Sequence, residues 1–339
     1  LTTPALPRTP EYRNVDAARF REEILPAGQP AILKALVADW PAVAAGRRSD
    51  EAMVAYLGAL DSGAPVSVLS AGPEIDGRFF YSQDLSGLNF ERDEMPLARA
   101  LAALLELRPV PRPPAIAVQS IPTPGVLPGF AEANRLALID PKVAPRIWIG
   151  NAITTATHFD MSHNIACAVT GRRRITLFPP NQLKNLYLGP FDFTPAGPPV
   201  SLVDLARPDL DLYPNFPSAL AAAQVAELEP GDAIYIPYCW FHNVESLDPF
   251  TVLINYWWSE APALLGPPLA ALVHAMASVR GLPPAEREVW RGMFEHFVFE
   301  AHGDPAAHLP TDRRGPLGEM TPEHLAQLRA VLGQAFNSP

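Results

Sequence analysis

Apolar residues recur along this chain at two spacings, and the change of spacing marks its organisation. Over residues 11–26, Val15, Phe20, Ile24 and Leu25 stand at helical intervals, with Asn14 and Asp16 as candidate caps. Residues 31–36 read as a strand closed by Asp39, Trp40 and Pro41. Residues 49–60 read as a helix, capped by Ser49 or Asp50, with Met53, Tyr56, Leu57 and Leu60 on one face. Residues 66–69 and 79–81 predict strands around turns at Gly72-Pro73 and Asp76-Gly77. Residues 97–107 are helical and end at a run of prolines over 109–114, while 115–120 read as a strand and 121–140 as irregular.

From residue 146 short apolar runs dominate. Strands are expected at 146–150, around His158, at 164–170 and at 174–178, with a hairpin at Gly171. Strand-like runs return between Val225 and Trp258. Between these blocks, residues 181–223 are loop-rich, and a loop of that length in a compact domain is often functional. They predict an insert over the mouth of the strand core, carrying either substrate contacts or ordinary surface packing. The last stretch differs in kind: 264–276 and 285–299 have helical periodicity, and Thr321-Pro322 opens a further helix with proline in its first turn. Apolar stripes on such terminal helices are expected to pack on the core or on a second copy.

The strand around His158 carries the candidate chemistry. Side chains alternate in an extended chain, so His158 and Asp160 point the same way and can grip one metal ion. Far along the chain, Glu229-Pro230-Gly231-Asp232 forms a turn and residues 233–237 a buried strand, after which His242 follows in an aromatic-rich run. Two histidines and one carboxylate cap one face of a metal and leave positions open, the donor set that suits non-haem Fe(II). By the same alternation His163 faces away from the pair, as a substrate-side or supporting residue. The histidines of the tail, His274, His296, His302, His308 and His324, have no carboxylate at metal spacing.

Composition narrows the field. The net charge of −10 argues against a nucleic-acid partner, because such binding depends on Lys and Arg neutralising phosphates. No run of 18 apolar residues lacks a charge or proline, so no membrane span is expected. Residues 1–4 show no charged segment leading into an apolar one, so no signal peptide is expected there. Cys167 and Cys239 sit in strand-like apolar runs, which predicts free buried thiols in a reducing, cytoplasmic setting.

His158-Phe159-Asp160, Asn164, 171–174, 177–180, Pro230-Gly231-Asp232, 235–237, 240–242, Glu245-Ser246 and 255–257 follow one another in an order that resembles the JmjC-type, cupin-like Fe(II)- and 2-oxoglutarate-dependent oxygenases. The likeness is greatest to the asparaginyl hydroxylases that inhibit hypoxia-inducible factor and to their bacterial cupin-like relatives. It covers roughly residues 145–260. The resemblance implies a mainly β fold, a double-stranded β-helix (jelly-roll) barrel with outer helices. It implies a barrel domain over residues 1–260 and a C-terminal helical region over 261–339 that forms a homodimer, anchored by Trp290, Met293, Phe294, Phe297 and Val298.

The activity so implied is hydroxylation of a protein or peptide side chain, with O2 as co-substrate and decarboxylation of 2-oxoglutarate to succinate. The same chemistry on a small molecule, or a non-catalytic metal- or ligand-binding cupin, stands as the alternative. Fe(II) would be held by His158, Asp160 and His242, which carry the catalysis. The co-substrate would meet Thr155, Asn164, Arg173, Asn255 and Trp257. Two positions depart from the family pattern. Arg173 stands where lysine is usual, and a guanidinium can still pair with a carboxylate. Ile116, three before Gln119, stands where a tyrosine hydroxyl is expected; Tyr81 or Tyr235 are candidate replacements. Arg172 and Arg174 read as a solvated face.

Overall fold

The structure is a computed structural model that describes residues 6–195, 197–262 and 264–337, so the reading of residues 1–4 falls outside the described residues. Two compact units divide the chain after Trp258. The first is built on β1 (Glu11–Arg13), β2 (Ala31–Lys34), β3 (Pro65–Ala71), β4 (Arg78–Phe79), β5 (Glu91–Pro96), β6 (Ala115–Pro122), β7 (Arg146–Gly150), β8 (Thr154–Phe159), β9 (His163–Thr170), β10 (Arg173–Phe178), β11 (Gln224–Leu228), β12 (Ala233–Ile236), β13 (Phe241–Ser246) and β14 (Thr251–Trp258). A nine-stranded sheet runs β1-β2-β12-β9-β14-β7-β6-β3-β5, and a five-stranded sheet runs β11-β10-β13-β8-β4. The jelly roll is thus a sandwich of two hydrogen-bonded sheets and not a closed barrel.

Alternation along the strands assigns each residue to a layer. On β9 and β14, Ile165, Cys167, Val169, Val252, Ile254 and Tyr256 join a core shared with helices on the outer side of the larger sheet. Ala166, Ala168 and Leu253 point the other way, into the space between the sheets, where they meet Ile175, Leu177, Ile234 and Ile236. At β9 and β14 both faces of the larger sheet are therefore buried, and each fully buried Ile, Leu or Phe contributes about 1.5–3 kcal/mol by transfer from water.

The outer helices supply the cover. The helical segment that begins at Ala17 is capped by Asp16, whose carboxylate accepts from the Arg19 amide at 2.8 Å, and it loosens into a π turn over Phe20–Ile24 before Pro26. Phe20 meets Tyr235 edge-on at 5.3 Å. Ser49 caps Asp50–Leu60, which buries Met53 and Leu57. Leu97–Leu107 buries Leu97, Leu101 and Leu104.

Two expectations for local structure need correction, and one strand had none. Residues 11–13 are not helical but pair in parallel with β2. β3 and β4 are not partners around a turn: β3 lies between β5 and β6 in the larger sheet, and β4 pairs in parallel with β8 in the smaller one. Glu91–Pro96 is an edge strand with no hydrophobic alternation to announce it, since its sequence is mostly charged and exposed.

Gly171 makes the β9–β10 hairpin with φ of 71°, and a Cβ there would meet Phe250 O at 2.8 Å. The insert carries a 3-10 turn at Pro180–Asn185 and a helix at Phe216–Ala221, and packs Leu186, Val203, Phe216 and Ala219 against Phe178 and Phe241. The second unit contains helices Pro268–Ser278, Pro284–Phe297 and Pro322–Asn337, with Trp290, Met293 and Phe297 each about half exposed.

Candidate metal centre and its cavity

β8 and β13 are neighbours in the smaller sheet, and their register sets His242 directly across from His158. The two imidazole rings lie 4.3 Å apart, centroid to centroid. Asp160, one residue past the end of β8, brings a carboxylate oxygen to 3.6 Å from His242 Nε2. One ligand atom from each of the three lies within 4.8 Å of the others, and no other such group of three occurs among the described residues.

Hydrogen bonds fix how the histidines can act. His158 Nδ1 is 2.9 Å from Ala156 O, and His242 Nδ1 is 3.0 Å from Trp240 O. A carbonyl oxygen only accepts, so each Nδ1 carries its proton and each Nε2 presents a lone pair. Burial pushes His242 down to about 4, the adjacent His158 adds to this, and Asp160 opposes it. The imidazole is therefore neutral near pH 7, as metal ligation requires.

Asp160 is held from the opposite sheet. Its Oδ2 accepts from Trp257 Nε1 at 3.0 Å and from Asn164 Nδ2 at 3.2 Å. Asn164 Oδ1 in turn accepts from Asn255 Nδ2 at 3.3 Å, and Asn255 Oδ1 accepts from Trp148 Nε1 at 2.7 Å. This chain of donors runs across β7, β14 and β9 and fixes which carboxylate oxygen stays open. Asn164, Asn255 and Trp257 all line the cavity beside the three residues, and their side-chain hydrogen bonds lead to Asp160. Trp148 completes the relay; an indole in an apolar strand gives no sequence signal, and the sequence reading missed it.

The cavity continues between the sheets to Arg173, which is 6% exposed. Arg173 donates to Ser246 Oγ at 2.5 Å and to Thr251 Oγ1 at 2.8 Å, while its Nε is buried without a hydrogen-bond partner. Among the described residues no carboxylate lies within ion-pair distance of it. Burial lowers Arg173 to about 10, so it keeps its charge at neutral pH. An uncompensated buried cation is costly, and an incoming carboxylate is the natural partner. Ile153, Ile175, Val244 and Leu253 give the cavity apolar walls. The passage is narrow, with about 70 Å3 open to the centres of water molecules.

Thr155 also lines this cavity, although three residues separate it from His158 and strict alternation would put it on the other face. The cause is a bulge: the pairing jumps from His242↔His158 to Val244↔Thr155, so that Ala156 and Thr157 together face Asn243. Asn243 Nδ2 seals the bulge by donating to Thr155 O at 3.1 Å.

Other expected residues lie elsewhere. His163 is on β9, in the opposite sheet, with Nδ1 2.9 Å from the Tyr235 hydroxyl and its ring stacked near Trp258; it serves the helix-side core, not the substrate side. Tyr235 is fully buried in that core and Tyr81 is buried against Val200, so neither replaces the missing hydroxyl in the cavity. Gln119 does reach the cavity, whereas Ile116 packs toward the helices. Arg172 pairs with Asp248, and Arg174 with Glu227, both outside it.

A two-sheet jelly roll with two histidines and a carboxylate at one end of the gap has the arrangement of a cupin-type candidate metal site. The cupin-like domain family matches residues 17–263, most of the chain. The chain belongs to this family. It is similar to lysine-specific demethylase JMJ31 of Arabidopsis thaliana, with 36% identity over 134 residues, 39% of this chain and 23% of that protein. It is similar also to tRNA wybutosine-synthesizing protein 5 of Mus musculus, 40% over 107 residues, 32% of this chain and 31% of that one. A third relative is HSPB1-associated protein 1 of Mus musculus, 36% over 113 residues, 33% and 23%. The matches span about a quarter to a third of these relatives. No helix among the described residues is long and apolar enough to cross a membrane.

Proposed function

We propose that the chain is an Fe(II)- and 2-oxoglutarate-dependent dioxygenase that hydroxylates a protein or peptide side chain. The observation that carries this reading is the shared cavity: three convergent metal-type ligands at one end, and at the other a buried guanidinium with no carboxylate partner among the described residues. The histidine tautomers and the oriented carboxylate fit a divalent iron, and the unpartnered Arg173 Nε fits the distal carboxylate of 2-oxoglutarate. Iron held there supplies the redox chemistry that couples decarboxylation of 2-oxoglutarate by O2 to hydroxylation of a C–H bond. His158, Asp160 and His242 hold the metal. Arg173 and Thr155 fix the far end of the co-substrate, the Trp257–Asn164 pair keeps Asp160 in one orientation, and the apolar walls exclude water.

The narrowness of the cavity favours a substrate that inserts one side chain at the mouth over one that fits wholly inside. The net charge of −10 favours a protein or peptide over RNA, although one relative is named for tRNA modification. A small-molecule substrate and a metal- or ligand-binding cupin without turnover are the competing readings, the latter motivated by isoleucine at position 116. We also assign the helical unit after Trp258 to homodimer formation, and the free thiols Cys167 and Cys239 to a reducing cytoplasm.

Incubation with Fe(II), 2-oxoglutarate and a proteome-derived peptide library tests the reading. Oxygen-sized mass gains on peptides that depend on 2-oxoglutarate and vanish with His158→Ala support it. Consumption of 2-oxoglutarate with only small-molecule products would replace the peptide assignment, and no 2-oxoglutarate binding at all would leave the binding cupin.

A further inference from the structure

The reverse face of the small sheet carries a second, larger recess. Thr154 and Ala156 of β8, Arg174 and Thr176 of β10, and Asn243 and Glu245 of β13 form its floor. Residues 74–89 and 202–213 contribute its walls, and it encloses about 1170 Å3. None of its lining residues lines the metal cavity, because strand alternation sends each neighbour to the opposite face: Arg173 inward and Arg174 outward, His242 inward and Asn243 outward.

The recess is lined by three arginines, and two are already neutralised. Arg174 is 3.3 Å from Glu227 and 3.9 Å from Glu245, and Arg207 is 3.8 Å from Asp204. Arg78, half-buried on β4, has no carboxylate within ion-pair distance among the described residues. Its guanidinium lies over the Phe80 ring at 3.6 Å, and its Nη2 is buried without a hydrogen-bond partner. Asn243, 4% exposed, spends its amide nitrogen on Thr155 O and leaves Oδ1 buried and unpartnered. Leu205, Leu212, Leu220 and Tyr213 add apolar wall.

We propose that this recess is a second ligand site that takes a small organic carboxylate with a flat apolar body. Arg78 pairs with the carboxylate, the leucines and Tyr213 cover the body, and Asn243 Oδ1 accepts from a hydroxyl or N–H of the ligand. A monoanion is specified because four carboxylates, Glu74, Asp76, Asp204 and Glu245, also line the recess, and a phosphate dianion would meet their repulsion more strongly. The assignment is independent of the reading of the metal cavity.

Calorimetric titration of the full chain with 4-hydroxyphenylacetate tests it, with the neutral alcohol tyrosol and 4-hydroxybenzylphosphonate as comparisons. The acid binds wild type and Arg173→Gln alike, and binds the neutral alcohol's site at least about tenfold more tightly than the alcohol does. Arg78→Gln weakens it about tenfold, Arg78→Lys weakens it less, and Arg207→Gln leaves it unchanged. Equal affinity in wild type and in folded Arg78→Gln and Arg78→Lys overturns the site. So does loss of binding in Arg173→Gln, which would place the acid in the metal cavity, and so does no binding to wild type at millimolar acid. Tighter binding of the phosphonate overturns the carboxylate assignment.

Discussion

The larger sheet is buried on both faces at its centre, where β9 and β14 are close to continuous apolar runs. The smaller sheet has the metal-type residues on one face and a polar recess on the other, and its strands alternate accordingly. The larger sheet is stabilised by its own packing, at about 1.5–3 kcal/mol for each buried large side chain. Register shifts occur in both, once in the smaller sheet at the β8 bulge and twice in the larger, between Val252 and Leu253 and between Val118 and Ile121. The site draws on both. His158 and His242 come from the small sheet, whereas Asp160, at the end of β8, is oriented by Trp257 and Asn164 of the large one. The small sheet therefore decides whether metal is held, and the large sheet decides how its carboxylate is turned.

That division ranks the effects of substitution. His158→Ala or His242→Ala removes a ligand from the small sheet, and Fe(II) content measured by mass spectrometry is expected to fall at least about 100-fold in affinity terms, beyond the 10–100-fold cost of losing a supporting residue. Arg173→Gln leaves the metal in place and strips the cation from the far end. The Kd for 2-oxoglutarate by calorimetry should rise by roughly 10–150-fold, the equivalent of about 1.5–3 kcal/mol for a charge-assisted pair.

Smaller effects come from the large sheet. Trp257→Phe removes the indole donor from Asp160 but leaves Asn164, and metal affinity should drop about tenfold with little change in thermal stability. Trp148→Phe acts two links further away and should cost roughly two- to fivefold. If Trp148→Phe equals Asp160→Ala, the relay is not merely orienting and the comparison fails. Arg174→Gln, next in sequence to Arg173 but paired with Glu227 at the surface, should leave 2-oxoglutarate binding unchanged and stability within about 0.5 kcal/mol.

The parts of the fold that were legible in the sequence are those where burial imposes a pattern. The runs at 146–178 and 225–258 announced strands because so many of their positions face an apolar layer. β5 did not, because an exposed edge strand of charged residues has no alternation to read, and β1 was hidden in a stretch whose later residues are helical. The site divides in the same way. His158 and Asp160 could be paired from strand parity alone, since the bulge lies before them. Thr155 could be reached only through family resemblance, because the bulge at Ala156 and Thr157 reverses the parity that alternation would assign. Parity turned His163 away from the pair, as the structure has it, but the substrate-side role did not follow, because a turn after Asp160 carries it into the other sheet beside Tyr235. Asn164, Asn255 and Trp257 were found as cavity residues, but their joint grip on Asp160 depends on strand order, which a single sequence does not display.

The central claim is that one cavity couples a metal to 2-oxoglutarate, and succinate production from 2-oxoglutarate with Fe(II) and ascorbate tests it most directly. Wild type should show slow turnover even without its true substrate, and Asp160→Ala should show none while remaining folded. Equal succinate from both proteins, or wild type that takes up Fe(II) but neither binds nor consumes 2-oxoglutarate, would contradict the account.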